Sequence, residues 1–289
     1  MKKRVVQEAD TGPLQLHSIR WMLHTAYRFS RPTAGRLCYR VLARPPRKDL
    51  TPEEGLFLAK AKHTIMPVGK RMKIGVYHWP GKGPRILLAH GWNSHSGRWE
   101  PLAQQLHELG YELYALDAPA HGESKGGSFA LVYYAQAMTE LVNIIQPETI
   151  IGHSAGGMAA IYYMHHEQKA WRPKRLILIA TPAELSHFMD SFQRIIGLKT
   201  EIMDALEREF LRRFDRGFGY YSTAEFIESI DLPGLIIHDE DDDVAPVAGA
   251  HTLADSWPSG HLFLTKGLGH SVQDATVKEY LLNWLEQKP

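Results

Sequence analysis

The strongest constraint on the fold is a rhythm of short apolar runs. They fall at residues 86–89, 111–116, 149–151, 176–180, 235–237 and 262–264. Between them, residues 97–109, 129–145, 155–167, 247–257 and 272–287 carry helical patterns. Strands apolar on both faces, joined by helices, are buried in a mostly parallel sheet covered on both sides. Ahead of them, residues 63–68 and 73–79 read as two strands joined at Gly69-Lys70, a hairpin-like turn. The fold class is therefore α/β, and in such sheets a ligand site lies beyond the carboxyl ends of the strands.

The rhythm breaks after Thr181-Pro182. Between residues 183 and 230 no strand candidate occurs, and Leu185, Phe188, Met189, Phe192, Phe210 and Phe214 supply the apolar faces of helices. This is the expected place for a cap that packs on the body and lines a pocket. Residues 1–62 also read as helical, punctuated by Arg31-Pro32 and Pro45-Pro46. Thr51-Pro52-Glu53-Glu54 has the form of a helix start. The expected division is an N-terminal helical extension (1–62), an α/β core (63–182 and 231–289) and a helical cap (183–230).

With 289 residues, 44% of them hydrophobic, the chain can bury a full core. Cys38 is the single cysteine, so no intramolecular disulfide forms. No run approaches the length of a membrane span, and Met1-Lys2-Lys3-Arg4 leads into mixed polar sequence instead of the apolar stretch of a signal peptide. A cytoplasmic location is expected. The formal net charge of +1 is unevenly spread: residues 1–50 hold 11 Lys or Arg against 3 acids, or +8, leaving −7 for the rest. The first expectation is a helical arm packed on the body. Peripheral membrane contact comes second, because aromatics interleave with arginines from Arg20 to Arg44. No recognition motif accompanies the charge, so nucleic acid is not an expected partner.

The chemistry centres on Gly152-His153-Ser154-Ala155-Gly156, which follows an apolar run and opens a helical pattern. Glycines on both sides allow a turn tight enough to expose the seryl oxygen at the top of a sheet. A serine hydroxyl needs a neighbouring base, and an imidazole with a pKa near ~6.5 suits that task. His270, in Gly267-Leu268-Gly269-His270, is the candidate base. An orienting acid must hold its tautomer, and losing that acid costs on the order of 10⁴ in rate. Asp242 is chosen from the acidic run of residues 239–243, with Asp241 and Asp243 one position away. The oxyanion would be held by the backbone N–H groups of Trp92 and Ala155, each donor contributing ~2.7–4 kcal/mol. The Trp92 ring and His153 are the expected substrate-binding side chains, although His153 also reads as a packing or hydrogen-bonding residue.

Five ordered motifs resemble those of the α/β-hydrolase family: His90-Gly91-Trp92, the stretch from Asp117 to Ser124, Gly152 to Gly157, His238 to Asp242 with Pro246, and Gly269-His270. The resemblance covers roughly residues 63–287. It implies an eight-stranded, mostly parallel sheet, a cap after the sixth strand, and a Ser154-His270-Asp242 triad. Asp117, His121 and Ser124 become turn-stabilising residues. Two features depart from the pattern: His238-Asp239 replaces the usual His-Gly after the seventh strand, and the N-terminal extension lies outside the common core.

The acidic run fails the calcium-loop pattern, since Val244 and Ala250 stand where glycine and glutamate belong. His165-His166 are adjacent on a helix and point apart. No metal or cofactor is expected. Serine at the elbow excludes the aspartate-ester chemistry of dehalogenases and epoxide hydrolases, leaving acyl transfer to water. The expected activity is hydrolysis of a small or medium carboxylic ester through an acyl-enzyme. Thioesterase, lactonase, amidase and carbon–carbon bond hydrolase activities use the same machinery. A catalytically silent small-molecule-binding homologue is the alternative from a different class.

Overall fold

The computed structural model describes residues 13–167 and 171–287. Lys2, Lys3 and Arg4 of the basic arm lie outside the described residues. Helices come first: α1 (Pro13–Phe29), α2 (Arg31–Ala43) and α3 (Pro52–Ala59). Ser30 caps α2 and accepts from the Thr33 N–H, while Pro32 occupies the first turn, where a missing amide leaves no bond unmade. Thr51 and Glu54 open α3 reciprocally: the Glu54 N–H donates to Thr51 Oγ1 at 3.2 Å and the Thr51 N–H to Glu54 Oε2 at 2.8 Å.

Strands β1 (Lys62–Val68) and β2 (Met72–Trp79) pair antiparallel around Gly69, whose φ of 56° favours glycine. There follow β3 (Arg85–Ala89), α4 (Glu100–Glu108), β4 (Glu112–Leu116), α5 (Leu131–Ile145), β5 (Thr149–His153), α6 (Ala155–His166) and β6 (Arg175–Ile179). Three helices, α7 (Leu185–Ile196), α8 (Thr200–Phe214) and α9 (Thr223–Ile227), intervene before β7 (Gly234–Asp239). The chain continues through α10 (Val247–Ser256) and β8 (Gly260–Thr265) to α11 (Ala275–Glu286). All eight strands form one sheet in the order β1-β2-β4-β3-β5-β6-β7-β8. The β1–β2 and β2–β4 pairs are antiparallel and the others parallel.

Alternation along the central strands divides the core into two layers. Leu87, Ile150, Leu176, Leu178 and Ile236 face the layer that also holds α5, α6 and the apolar residues of α7 and α8. Ile86, Leu88, Ile151, Ile177, Leu235 and Ile237 face the layer built from α3, α4 and α11. The extended runs are thus apolar on both faces because both faces are covered.

The helix expected over 272–287 begins later, at Ala275. Val272 takes a φ of 48°, which a β-branched residue does not hold inside a helix, and Asp274 caps α11 by accepting from the Thr276 N–H at 2.9 Å. The helix expected over 97–109 is divided: a 3-10 turn over Ser96–Trp99 precedes α4, whose second residue is Pro101. Among the described residues, no helix is long and apolar enough to cross a membrane.

Candidate active site

Ser154 stands at the junction of β5 and α6 with φ 52° and ψ −121°. A non-glycine residue held there costs about 1–3 kcal/mol and persists only where its surroundings over-determine it. Close approach of backbones does so here. A Cβ on Gly156 would lie 2.1 Å from the Ala89 carbonyl oxygen, and one on Gly152 would lie 2.6 Å from Gly157 Cα. The first turn of α6 is therefore pressed against the carboxyl ends of β3 and β5. The Ser154 N–H donates to the Ile179 carbonyl at 2.8 Å and ties the turn to β6.

His270 arrives from the other side, in the 3-10 turn Gly269–Ser271 that follows β8. Its Nε2 lies 3.0 Å from Ser154 Oγ, and its Nδ1 lies 2.8 Å from Asp242 Oδ2. A carboxylate accepting from Nδ1–H leaves Nε2 as the acceptor for the seryl proton. Asp242 is itself held, since its Oδ1 accepts from the Val244 N–H at 2.9 Å and the Ala245 N–H at 2.8 Å. His238 donates from Nε2 to the Ala245 carbonyl at 2.7 Å, with the same nitrogen 3.4 Å from Asp242 Oδ2. Burial holds the His238 pKa below its ordinary value, so the ring is neutral. Of the acidic run, Asp239 and Asp242 are buried while Glu240, Asp241 and Asp243 are exposed.

Asp239, the departure from the family pattern, organises the base loop. Its Oδ1 accepts from the Gly269 and Asp241 N–H groups, both at 3.0 Å; its Oδ2 accepts from the Leu268 N–H at 3.0 Å and the Thr265 hydroxyl at 2.8 Å. Burial alone would raise this carboxyl, but the hydrogen bonds outweigh it and hold the pKa below its ordinary value. A glycine here could make none of these side-chain contacts. The substitution was itself visible in the sequence, although its purpose was not.

His153 is placed as the packing and hydrogen-bonding residue that the sequence also allowed. It is buried, its Nε2 donates to the His270 carbonyl at 2.9 Å, and a Cβ on Gly91 would lie 2.9 Å from its Nδ1. The ring tethers the base loop to the elbow, and burial keeps its pKa well below the ordinary value. Arg98 adds a second tether, donating from Nη2 to the Ser271 carbonyl at 3.2 Å.

The loop after β3 closes the third side. A Cβ on Gly91 would lie 3.0 Å from Ser154 Cβ, so only glycine lets this loop come so near. Neutral histidines hold it: the Ala118 N–H donates to His90 Nε2 at 2.9 Å and the Asn93 N–H to His121 Nε2 at 3.0 Å. Their Nδ1–H groups donate to the Gly91 and Pro119 carbonyls, at 2.7 and 3.0 Å. Burial depresses both rings, His90 well below its ordinary value and His121 to about 4. Among the described residues, the backbone N–H groups of Trp92 and Ala155 have no protein acceptor. Asp117, His121 and Ser124 serve the turn: Asp117 accepts from the Ser96 amide and hydroxyl and from the Glu123 amide.

Beside Ala155 lies a cavity of about 20 Å³ lined by apolar side chains, among them Leu42, Phe129, Met158, Phe188 and Phe210. The Trp92 ring stands edge-on to Phe188 and Phe192 of α7, at centroid distances of 5.9 and 6.2 Å. Larger cavities of about 390 and 300 Å³ lie near Tyr114 and between α4 and α11; neither Ser154 nor His270 lines them, although Ser271 and Ile179 line the second.

A family model described as serine aminopeptidase S33 matches residues 83–210, which hold the loop after β3, the elbow and most of α7 and α8. The fold is that of the α/β-hydrolases. The chain is 24% identical over 233 residues to a pimeloyl-[acyl-carrier protein] methyl ester esterase of Nitrosomonas europaea, covering 66% of this chain and 90% of that protein. It is 24% identical to a monoacylglycerol lipase of Mycolicibacterium smegmatis, over 78% of this chain and 95% of the lipase. In fold it is similar to an esterase of Pyrococcus furiosus, with a TM-score of 0.63 and 19% identity over 85% of this chain and 97% of that one.

Proposed function

We propose that this α/β-hydrolase is a serine esterase that cleaves a carboxylic ester through an acyl-enzyme. Ser154 attacks the carbonyl carbon while His270 Nε2 takes its proton. The N–H groups of Trp92 and Ala155 receive the developing oxyanion, and His270 returns the proton to the leaving alcohol. Water then repeats the sequence with His270 as base, releasing the acid and restoring Ser154. Asp242 keeps Nδ1 protonated and stabilises the imidazolium that forms in each half. The observation that carries this reading is the unbroken contact chain from Ser154 Oγ through His270 to Asp242, with separations of 3.0 and 2.8 Å.

The apolar cavity favours a neutral ester over the peptide substrate that the family model's description names. An aminopeptidase must recognise a substrate ammonium, and no acidic side chain lines the cavity beside Ala155 among the described residues. The methyl ester esterases and the lipase among its relatives point to the same bond. The test is labelling by a fluorophosphonate probe together with hydrolysis of p-nitrophenyl esters from acetate to decanoate. The wild type is expected to be labelled at Ser154 and to turn over the short esters, and Ser154→Ala is expected to lose both. An unlabelled, inactive wild type would refute the proposal.

A further inference from the structure

We propose that helix α2 is a wall of the active site. Leu42 walls a narrow acyl pocket that favours short acyl groups, and its carbonyl positions the oxyanion loop through Trp92. The inference rests on the esterase reading of the same site.

Helices α1 and α2 lie outside the stretch matched by the family model, yet α2 reaches the centre of the site. The Trp92 indole N–H donates to the Leu42 carbonyl at 2.8 Å. Leu42 is in the last turn of α2, whose carbonyls have no intrahelical donor and are free to accept from elsewhere. The neighbouring Ala43 carbonyl likewise accepts from the Phe129 N–H at 2.8 Å. One helix end thus holds two segments of the core: the loop that offers the Trp92 N–H, and the segment that leads into α5.

The side chain of Leu42 does a second job. It lines the cavity beside Ala155, together with Met158 from the elbow helix and Phe188 and Phe210 from the helices between β6 and β7. At about 20 Å³ this space is narrow, and apolar side chains surround it. A short acyl group fills it, and a longer chain meets its walls, Leu42 among them.

The position of Leu42 is imposed by packing, not left to a flexible arm. A Cβ on Gly35 would lie 2.2 Å from the Ala205 carbonyl oxygen, so α2 and α8 touch through their backbones. One turn on, the Tyr39 ring meets Phe210 at 6.1 Å and Phe214 at 6.3 Å, with the Arg213 guanidinium 4.1 Å above it. The Tyr39 hydroxyl is 3.3 Å from Ser128 Oγ, which ties the same residue to the core. Phe210 therefore touches both the anchor of α2 and the acyl cavity.

The experiment measures kcat and KM for wild type, Leu42→Ala, Leu42→Val and Trp92→Phe on p-nitrophenyl acetate, propionate, butyrate and hexanoate. The wild type should prefer acetate or propionate. Leu42→Ala should raise the hexanoate-to-acetate ratio of kcat/KM by about 10-fold or more, and Leu42→Val, which removes less volume and keeps the fold, should shift it the same way by less. Trp92→Phe should lower kcat on every ester by about 5- to 10-fold with KM little changed, as expected of a positioning contact. A wild type that prefers hexanoate, or folded Leu42 variants with the wild-type profile, would overturn this inference and leave the esterase reading standing. A wild type that cleaves no ester and takes up no fluorophosphonate would remove both.

Discussion

The two sides of Ser154 are held by opposite kinds of force. On the His270 side, Asp239, Asp242, His238, His153 and Arg98 form a net of hydrogen bonds to backbone groups of the β7 and β8 loops. On the Ala155 side, Leu42, Phe129, Met158, Phe188 and Phe210 meet through apolar surface. Directional bonds hold a ring to the few tenths of an ångström that proton transfer needs. Apolar contact has no preferred direction, so it sets the size of a space and tolerates changes in its lining. In the proposed reaction the proton moves on the first side and the acyl group meets the second.

Breaking the polar side at its centre should have the largest effect. Asp242→Asn is expected to lower kcat on the order of 10⁴-fold in steady-state ester hydrolysis, because the amide no longer requires a proton on Nδ1. The opposite pattern is expected on the apolar side. Phe210→Ala should destabilise the fold by about 3–5 kcal/mol in denaturant titrations, through the cavity it leaves among Tyr39, Phe214 and Phe218. Activity of its remaining folded fraction should fall far less than that of Asp242→Asn.

Acid should loosen the loop after β3. The His121 pKa falls from 6.5 unfolded to about 4 folded, so between those values the unfolded chain binds more protons. Its contribution is complete above pH 6.5 and is lost as the pH falls towards 4, by up to about 3 kcal/mol. His90 acts in the same sense. Asp117 opposes them, since burial raises its carboxyl pKa and its contribution grows as the pH falls. Thermal melts from pH 7 to pH 4 check the net decline, and His121→Gln, which keeps an acceptor for Asn93 but does not titrate, should flatten it.

The finest comparison is between the two buried acids of one loop. Asp239→Ala leaves the Leu268 and Gly269 amides without their acceptor, and the resulting shift of the base should cost about 10²-fold in kcat. Asp239→Asn keeps one accepting oxygen and should recover part of the loss. Equal kcat for Asp239→Ala and wild type would show that the loop is held without this carboxylate.

Much of this was legible because it depends on short-range pattern. The runs that became β3 to β8 declared themselves by apolar content, and Ser154 by the glycines around it. The sequence favoured Asp242 without separating it from Asp241 and Asp243, and the burial of Asp242 while those two are exposed emerges only in the folded loop. The start of α11 was misread because Val272 continues an apolar pattern while its backbone turns the other way. The placing of His153 illustrates the same limit: its neighbour in the chain is Ser154, but its hydrogen-bond partner is 117 positions away.

By itself, the sequence determined the parallel sheet, the sharp turn at Ser154 and the kinds of side chain able to move a proton, since periodicity and glycine placement act within a few residues. Tertiary structure alone decided that Asp239 would brace the loop of His270, that His153 would bond to that loop, and that Leu42 would line the cavity beside Ala155. Those roles depend on close packing between segments far apart in the chain, and local propensity carries no information about distance in space.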